Sequence, residues 1–461
     1  MSSRTYLRQS APAPVLVVAL VLAVCSATAP VQAKVDGISG SGDGSAAAPR
    51  TFSLVAADAS LATGDGNSVY AWGYADAATG VMQYPGPTLI VNQGDHVTVN
   101  LANALPPAGL PVSIVFPGQQ VVVAACTSGG AGCADGALTK EVVRGATVSY
   151  SFVAGQPGTY YYHSGSNPSL QVDMGLVGAL IVRPAGYDPS STAGRRAYAH
   201  AATGYDREIK LLLTEMDAGL HDTVYGQVQA GQPVKVDTAA FRASLWFING
   251  RNAPDTLLAA GIPWLPNQPY NAAPIMHPGE KLLIREINAG RDLHPFHHHG
   301  AHMLPLARDG RVLESAPGAG PDLSSPDFTI RTIPGQTMDL SFEWTARNLG
   351  WDIYGTSDNH QCVPDASGFS ATHEWCADHG KPFPVVLPNQ QDVTFGEYYS
   401  GTPFLGNFGV LPQGHPGLNE NGGYFHIWHS HSEKEITTNN VFPGGMKTFL
   451  IIEAPGVPIT E

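Results

Sequence analysis

Two short stretches of this chain place histidines two residues apart. The first covers residues 294–300, with the letters HPFHHHG, and the second covers residues 429–431, with the letters HSH. On an extended strand, residues two apart point to the same side, so His297 and His299 present a pair of imidazoles. The two histidines of the second stretch do the same. Imidazole binds copper, zinc, nickel and iron, so the spacing predicts a transition-metal site without choosing the metal.

The other histidines carry weaker signals. His298 lies between the members of the first pair, so the same alternation points it away, towards a supporting or exposed position. His163, in the stretch YYYHSG, is either a packed residue or a ligand. Histidines that follow no pattern are interpreted as structural: His96, His200, His221 and His277. Histidines of a later loop are either exposed or a source of one more ligand: His360, His373, His379 and His415. A surface cluster without a role is the alternative for the whole set.

The N-terminus reads as a secretory leader. Arg4 and Arg8 precede a short apolar run, and small residues follow up to Ala33. This order is typical of a signal peptide over residues 1–33, and the apolar run is too short to span a bilayer. A lipoprotein site at Cys25 is disfavoured by the bulky Val24 before it. We therefore expect a secreted or periplasmic protein with no membrane span.

The remaining cysteines form two local pairs, Cys126 with Cys133 and Cys362 with Cys376. An even number of cysteines, arranged as two pairs close in sequence in an exported chain, predicts two disulfides. If both form, no cysteine is left to act as a thiolate metal ligand.

The composition predicts an all-β protein. Only 13% of residues are charged, and the chain contains 52 glycines and 37 prolines. Such a composition is typical of a chain with many turns and few long amphipathic helices. The formal net charge of −14 disfavours nucleic acid and anionic membrane surfaces as partners, while it is compatible with cationic metals.

The chain repeats one pattern of strands. Residues 88–101 read as two short strands around the turn Gly94-Asp95, and residues 141–163 and 178–183 continue the unit. The same order returns later in the chain, which predicts a first domain over 50–185 and a second over 205–455. The second copy carries a long insertion around 349–423.

The motifs together resemble those of a known family. PGPTLIVNQGD, GTYYYHS with the later GALIV, HPFHHHG, and FHIWHSH followed by GGM are similar to the four copper-binding blocks of multicopper oxidases. The resemblance covers nearly the whole chain after the leader. It implies two cupredoxin-like Greek-key β-sandwich domains, copper as the cofactor, and a homotrimer as one assembly in which a neighbouring chain supplies missing ligands.

The resemblance carries over to particular residues. His297 and His299 match ligands of the family's trinuclear cluster, as do His429 and His431, and His163 matches one more. His294 matches a ligand of the separate electron-transfer copper.

Other positions of the blocks depart from the family. Residues 115–118 read VFPG where the family has His-Trp-His-Gly, and Gly165 replaces a further histidine. Ser430 replaces the thiolate ligand, and Glu435 replaces the downstream histidine. Blue-copper electron transfer depends on a Cu–thiolate bond that a serine hydroxyl cannot supply.

The sequence therefore predicts an exported copper-binding protein with a reduced, histidine-only site and no blue copper centre. One alternative is an active copper-dependent oxidoreductase that oxidises a metal ion or a phenol, alone, as an oligomer or as a subunit of a larger oxidase. Another is a metal-free binding protein. Glu433 and Glu435 are interpreted as solvated charges, with orientation of imidazoles as the alternative, and Asp173 is interpreted as orienting a bound water.

Overall fold

The regular secondary structure of the described residues is mainly β-strand, which confirms the predicted all-β class. The computed structural model describes residues 35–106, 110–120, 122–127, 132–354, 361–382, 401–403, 423–455 and 457–459. The predicted signal peptide, His360, His415 and much of the predicted insertion lie outside the described residues.

The first half of the described chain forms two main sheets and a small hairpin. Its strands are β1 (Arg50–Ala62), β2 (Ser68–Asp76), β3 (Met82–Gln83), β4 (Gly86–Asn92), β5 (His96–Asn103), β6 (Val123–Cys126), β7 (Cys133–Asp135), β8 (Lys140–Val142), β9 (Thr147–Val153), β10 (Gly158–His163) and β11 (Val177–Arg183). One sheet has the order β3-β2-β1-β5-β9-β6, the second has the order β10-β11-β4, and β7 pairs with β8.

The second half forms two larger sheets. Its strands are β12 (Arg207–Met216), β13 (Leu245–Ile248), β14 (Ile275–Met276), β15 (Lys281–Asn288), β16 (His294–His298), β17 (Leu304–Arg308), β18 (Arg311–Val312), β19 (Thr329–Thr332), β20 (Thr337–Glu343), β21 (Gly401–Pro403), β22 (Tyr424–Ser430) and β23 (Lys447–Ile452). One sheet has the order β13-β12-β15-β20-β17-β18. The other has the order β14-β23-β22-β16-β19, with β21 added beside β22.

The two halves repeat the same strand pairings. In the first half β1 pairs in parallel with β5, which pairs antiparallel with β9, and β12, β15 and β20 repeat this pattern. Likewise β10, β11 and β4 correspond to β22, β23 and β14. The repeat places His163 at the end of β10 and His429 near the end of its counterpart β22.

The sequence suggested a hairpin around Gly94, but the turn there does not close one. Strands β4 and β5 lie in different sheets, so the turn carries the chain from one layer of the sandwich to the other. Gly94 has a φ of 91°, which favours glycine, and the Asp95 carboxylate accepts a hydrogen bond from the Asn92 amide at 2.9 Å. The alternation of residues along each strand agrees with the prediction, whereas the partner of each strand depends on residues distant in sequence.

Among the described residues, α-helix is confined to two short segments, and four short 3-10 helices cover Ala201–Thr203, Thr238–Ala240, Asp255–Leu257 and Glu433–Ile436. Helix α1 covers Pro168–Gln171 and helix α2 covers Ala218–Gln229. The Asp217 carboxylate caps α2 by accepting hydrogen bonds from the Gly219 and Leu220 amides. None of the described helices is long and apolar enough to cross a membrane.

Each half has its own apolar core, and a third cluster joins them. The joining cluster contains Val69 and Val177 from the first half and Leu212, Phe247 and Ile287 from the second. Tyr84 also reaches across the junction, donating its hydroxyl to Thr214 Oγ1 at 2.6 Å.

A buried ionic network also connects the halves. Glu208 accepts hydrogen bonds from Arg183 of β11 and from Arg285 of β15, and Arg285 Nη1 lies 3.2 Å from Asp339 Oδ1. All four side chains are buried. Burial opposes ionisation of Glu208, but the two guanidinium groups outweigh it and lower the pKa of this carboxyl to about 2.

Both predicted disulfides are present, joining Cys126 to Cys133 and Cys362 to Cys376. No cysteine thiol therefore remains among the described residues.

Candidate metal centre

The two histidine pairs lie on neighbouring strands. β16 pairs antiparallel with β22, so that His297 is directly opposite His429. The same register continues beyond the strand ends, because the His431 amide donates to the Pro295 carbonyl at 2.8 Å. In antiparallel pairing, side chains of directly opposite residues share a face. The structure therefore brings His297, His299, His429 and His431 onto one face of the sheet.

Alternation places a second set of residues on the opposite, interior face. His294, Phe296 and His298 of β16 and Trp428 and Ser430 of β22 are all fully buried there. The position that the resemblance assigned to a thiolate thus faces the core, on the other side of the sheet from the four imidazoles, which we call the histidine cluster.

The rings of the histidine cluster are in close contact. The ring centroid of His297 lies 4.5 Å from that of His299, 5.6 Å from that of His429 and 4.9 Å from that of His431. Nε2 of His299 lies 3.3 Å from Nε2 of His429. Two nitrogens that bind one metal at about 2.0 Å in tetrahedral geometry are about 3.3 Å apart. This pair is therefore spaced as two ligands of one metal.

No third nitrogen of the histidine cluster lies within ligand spacing of both His299 Nε2 and His429 Nε2. Within the described part of the chain, one group of three His, Cys, Asp or Glu ligand atoms lies within 4.8 Å of one another, and it is Cys362, Glu374 and His379. The sulfur of Cys362 belongs to a disulfide, so it offers no thiolate. In the histidine cluster, His297 or His431 would join the pair through side-chain rotation.

Neighbouring groups set the tautomers of the imidazoles. Nδ1 of His429 donates to the Ser430 carbonyl at 2.8 Å, because a carbonyl can only accept, and this leaves Nε2 with its lone pair. Nδ1 of His297 lies 2.6 Å from Thr329 Oγ1 on the adjacent strand β19. Nδ1 of His431 lies 3.1 Å from the exposed carboxylate of Glu433.

The electrostatics favour the neutral form of two imidazoles of the histidine cluster, His297 and His429. Burial and the adjacent rings of His299, His429 and His431 lower the pKa of His297 to about 3. Burial also lowers the pKa of His429. Neutral imidazole is the form that binds metals, so no proton has to be displaced from these two rings near neutral pH.

His163 occupies the matching place in the first half without such neighbours. Its Nδ1 donates to the Ser164 carbonyl at 2.9 Å, and its ring stacks on Tyr161. Within the described residues, its ring contacts no member of the histidine cluster.

His294 is held in a different environment, between two carboxylates. Its Nδ1 lies 2.8 Å from Glu435 Oε2, and its Nε2 lies 2.9 Å from Glu215 Oε2. Ser430 Oγ donates to the same Glu435 oxygen at 2.6 Å. Although burial opposes a charge on His294, the two carboxylates raise the pKa of this imidazole to about 9.

The interpretation of Glu435 as a solvated charge is wrong. Only 5% of this residue is exposed, and it contacts both His294 and Ser430. The sequence could not show this, because the short turn over residues 433–436 folds the side chain back under the sheet. The side chain of Glu433 is 71% exposed, as expected of a solvated charge, but it also contacts His431 at 3.1 Å, as the alternative interpretation expected.

Asp173 lies in an ion pair. Its carboxylate is 2.6 Å from Arg291 Nη2, and burial, opposed by Arg291 and reinforced by Glu215, raises the pKa of Asp173 to about 7. Orientation of a water by this group therefore stays a prediction.

Several residues near the site carried no sequence signal. Glu215 lies 79 residues before His294, and Thr329 lies 32 residues after His297. Behind the histidine cluster, Glu286 Oε2 is 3.8 Å from His298 Nε2, and both groups are fully buried. Only their place in the repeated sandwich could have suggested Glu286 and Thr329, since Thr329 lies on β19, which pairs with β16, and Glu286 lies on β15 of the other sheet.

Parts of this chain are similar to known proteins. The multicopper oxidase family model matches residues 68–186. L-ascorbate oxidase of Cucurbita pepo var. melopepo is 32% identical over 178 residues, which are 39% of this chain and 28% of that protein. Multicopper oxidase MCE of Talaromyces pinophilus is 35% identical over 102 residues, 22% of this chain and 15% of that protein. The chain thus spans less than a third of the length of these relatives.

Solved structures extend the likeness to the whole fold. The multicopper oxidase mgLAC superposes with a TM-score of 0.51 at 19% identity, covering 89% of this chain and 88% of that one. A blue copper oxidase from Nitrosomonas europaea gives a TM-score of 0.51 at 18% identity, covering 87% and 85%. These matches confirm the predicted resemblance to the multicopper oxidase superfamily.

Multicopper oxidases use copper as their cofactor, and the two candidate positions of this chain fit that metal differently. The histidine cluster fits copper, because it offers imidazole ligands, among them the neutral ring of His297, and one nitrogen pair at ligand separation. The position around His294 does not fit a blue copper, since both of its ring nitrogens contact carboxylates and Ser430 supplies a hydroxyl in place of a thiolate.

Proposed function

We propose that this chain is an exported copper-binding protein whose histidine-only site is formed by His297, His299, His429 and His431. The observation that carries the proposal is the 3.3 Å separation between Nε2 of His299 and Nε2 of His429, with the other two rings beside them. Export rests on the leader pattern and on the two disulfides. His163 as a ligand and a homotrimeric assembly stay predictions of the family resemblance, whereas the carboxylates at both ring nitrogens of His294 disfavour that residue as a ligand.

The residues of the site have distinct tasks in this proposal. His299 and His429 provide the first two ligand nitrogens. Thr329 orients His297, whose ring also packs edge-on against Phe328 at 5.3 Å. Bound copper would supply one-electron redox chemistry. The low pKa of His297 keeps its ring neutral, so the site is ready for a cation across the neutral range.

Metal analysis of the purified mature protein tests the proposal. After loading with Cu²⁺ and desalting, we expect one or two coppers per chain by elemental analysis. The paramagnetic resonance spectrum should show large hyperfine splitting, without the intense absorption near ~600 nm that marks a Cu–thiolate bond. An intense blue band would contradict a histidine-only site, and protein that retains no copper would leave only a metal-free role.

An oxidase activity is the second candidate, because the relatives are named as oxidases of ascorbate and as laccases. Dioxygen consumption by the copper-loaded protein, with a phenol, ascorbate or Fe²⁺ as the reductant, tests it. We expect turnover far below that of an oxidase with a blue copper centre, because Ser430 and Glu435 leave no electron-entry site of that kind.

A further inference from the structure

The buried residues Glu215, His294, Ser430 and Glu435 form a continuous set of hydrogen bonds that we call the carboxylate clasp. It joins the end of β12, the start of β16, the end of β22 and the turn that follows β22. The side chains of Glu215 and His294 are fully buried, and that of Glu435 is 6% exposed. We propose that the clasp is a metal-free replacement for a copper centre, which excludes a second metal and holds the turn that positions His429 and His431.

The geometry of the clasp excludes a metal. The two nitrogens of an imidazole point in divergent directions, and in His294 each one is engaged by a different carboxylate. Glu215 and Glu435 therefore lie on different sides of the ring. A single ion could not bind one ring nitrogen and both carboxylates unless one of the His294–carboxylate contacts broke. No thiolate is present to compete for the position.

Backbone groups hold Glu215 in place. Its Oε1 accepts hydrogen bonds from the amides of Arg291 and Asp292, the latter at 3.0 Å. A side chain at Gly290 would clash with the Glu215 carboxylate, so the turn between β15 and β16 is built around this group. A carboxylate fixed by two amides at 0% exposure is not free to move towards an ion.

The other end of the clasp fixes the segment that carries the second histidine pair. Ser430 Oγ donates to Glu435, and the Ser432 amide donates to Ser430 Oγ at 3.2 Å. The carbonyl of the same Ser430 receives the Nδ1 hydrogen of His429. Glu435 is tied in turn to Met446, whose amide donates to the Glu435 carbonyl at 2.7 Å. The clasp thus acts on the ligands through Ser430, as a positioning unit.

Exclusion of metal is tested with Ser430→Cys. The new thiol would lie beside His294, whose two ring nitrogens remain engaged by carboxylates. We therefore expect the copper count per chain not to exceed that of the wild type and no band near ~600 nm to develop. A gain of one copper with an intense blue band would show that the position is open to metal and would overturn the exclusion.

Positioning is tested with Glu435→Gln, against Glu314→Gln as a control at a partly exposed carboxylate that accepts one amide hydrogen bond. Because outer contacts of metal-bound imidazoles typically change affinity by about 10–100-fold, we expect a loss of that size for Glu435→Gln and none for the control. The melting temperature of the copper-free variant should also fall by about 5 °C. Unchanged values in both measurements would overturn the positioning role.

This second role rests on the proposed copper site, and the two fail in different ways. If the wild type binds no copper, the proposed function fails, while the copper-free melting temperatures still test the clasp. If the wild type binds copper and Glu435→Gln matches Glu314→Gln in both measurements, only the clasp fails.

Discussion

His163 and His429 hold the same hydrogen bond in the two halves of the protein. Each donates its Nδ1 hydrogen to the carbonyl of the serine that follows it, at 2.9 Å in the first half and 2.8 Å in the second. Both imidazoles therefore keep the Nε2 lone pair that a metal requires. They differ in what surrounds them, because three further imidazoles lie beside or near His429, whereas Tyr161 stacks on His163.

This comparison predicts unequal effects of the two histidines on copper binding. We expect His429→Ala to weaken copper binding by about 100-fold or more, because it removes one of the two nitrogens at ligand separation. His163→Ala serves as the matched control and should stay within about threefold of the wild type. Competition titration with a chelator of known affinity measures both. Equal losses in the two variants would place His163 in the copper site.

Thr329 should act on copper through His297. Thr329→Val keeps the shape of the side chain and removes the oxygen that lies 2.6 Å from His297 Nδ1, so we expect about 10–100-fold weaker copper binding. Thr329→Ser keeps the hydroxyl and should restore most of the affinity. The chelator titration reports both. A Thr329→Ser variant as weak as Thr329→Val would mean that packing, and not the hydrogen bond, supports the ring.

Glu286 should make stability depend on pH. Burial raises the pKa of its carboxyl to about 8, although the Thr332 hydroxyl and His294 oppose the shift. Because the folded state holds this proton more tightly than the unfolded state does, its contribution is complete below about pH 4.5 and is lost as the pH rises through about 8.

Glu286→Gln removes this titration while keeping the shape and the neutral state of the side chain. Between pH 5 and pH 9, the melting temperature of the wild type should therefore fall by several degrees relative to that of Glu286→Gln. Thermal unfolding of the copper-free proteins across that range measures it. A constant difference would mean that Glu286 is ionised in the fold.

The buried network between the halves should be sensitive to loss of its central carboxylate. Glu208→Gln leaves Arg183 and Arg285 without their shared anion, so we expect the free energy of unfolding to fall by about 3–5 kcal/mol. Lys140→Ala breaks a surface pair with the exposed Asp135 and should change it by less than about 1 kcal/mol. Urea unfolding compares the two, and similar small losses would assign the network no role in stability.

Much of the architecture was readable from local patterns. The repeated strand motifs, the two cysteine pairs and the histidines at a spacing of two all depend on neighbours along the chain. The structure reproduces the strand repeat and both disulfides, and it places His297 opposite His429 on one face. Alternation along a strand is a property of the backbone, so it can be read without knowing the partner strand.

The surroundings of these residues depended on contacts between distant segments. Strands β4 and β5 enter different sheets, Glu435 is buried where a solvated charge was expected, and Glu215 reaches His294 from 79 residues away. No local pattern encodes such contacts, because burial and pairing are set by which layers pack together. Residue types and spacing thus identified the candidate imidazole ligands, whereas packing of the sheets decided which of them meet and placed carboxylates around the neighbouring His294.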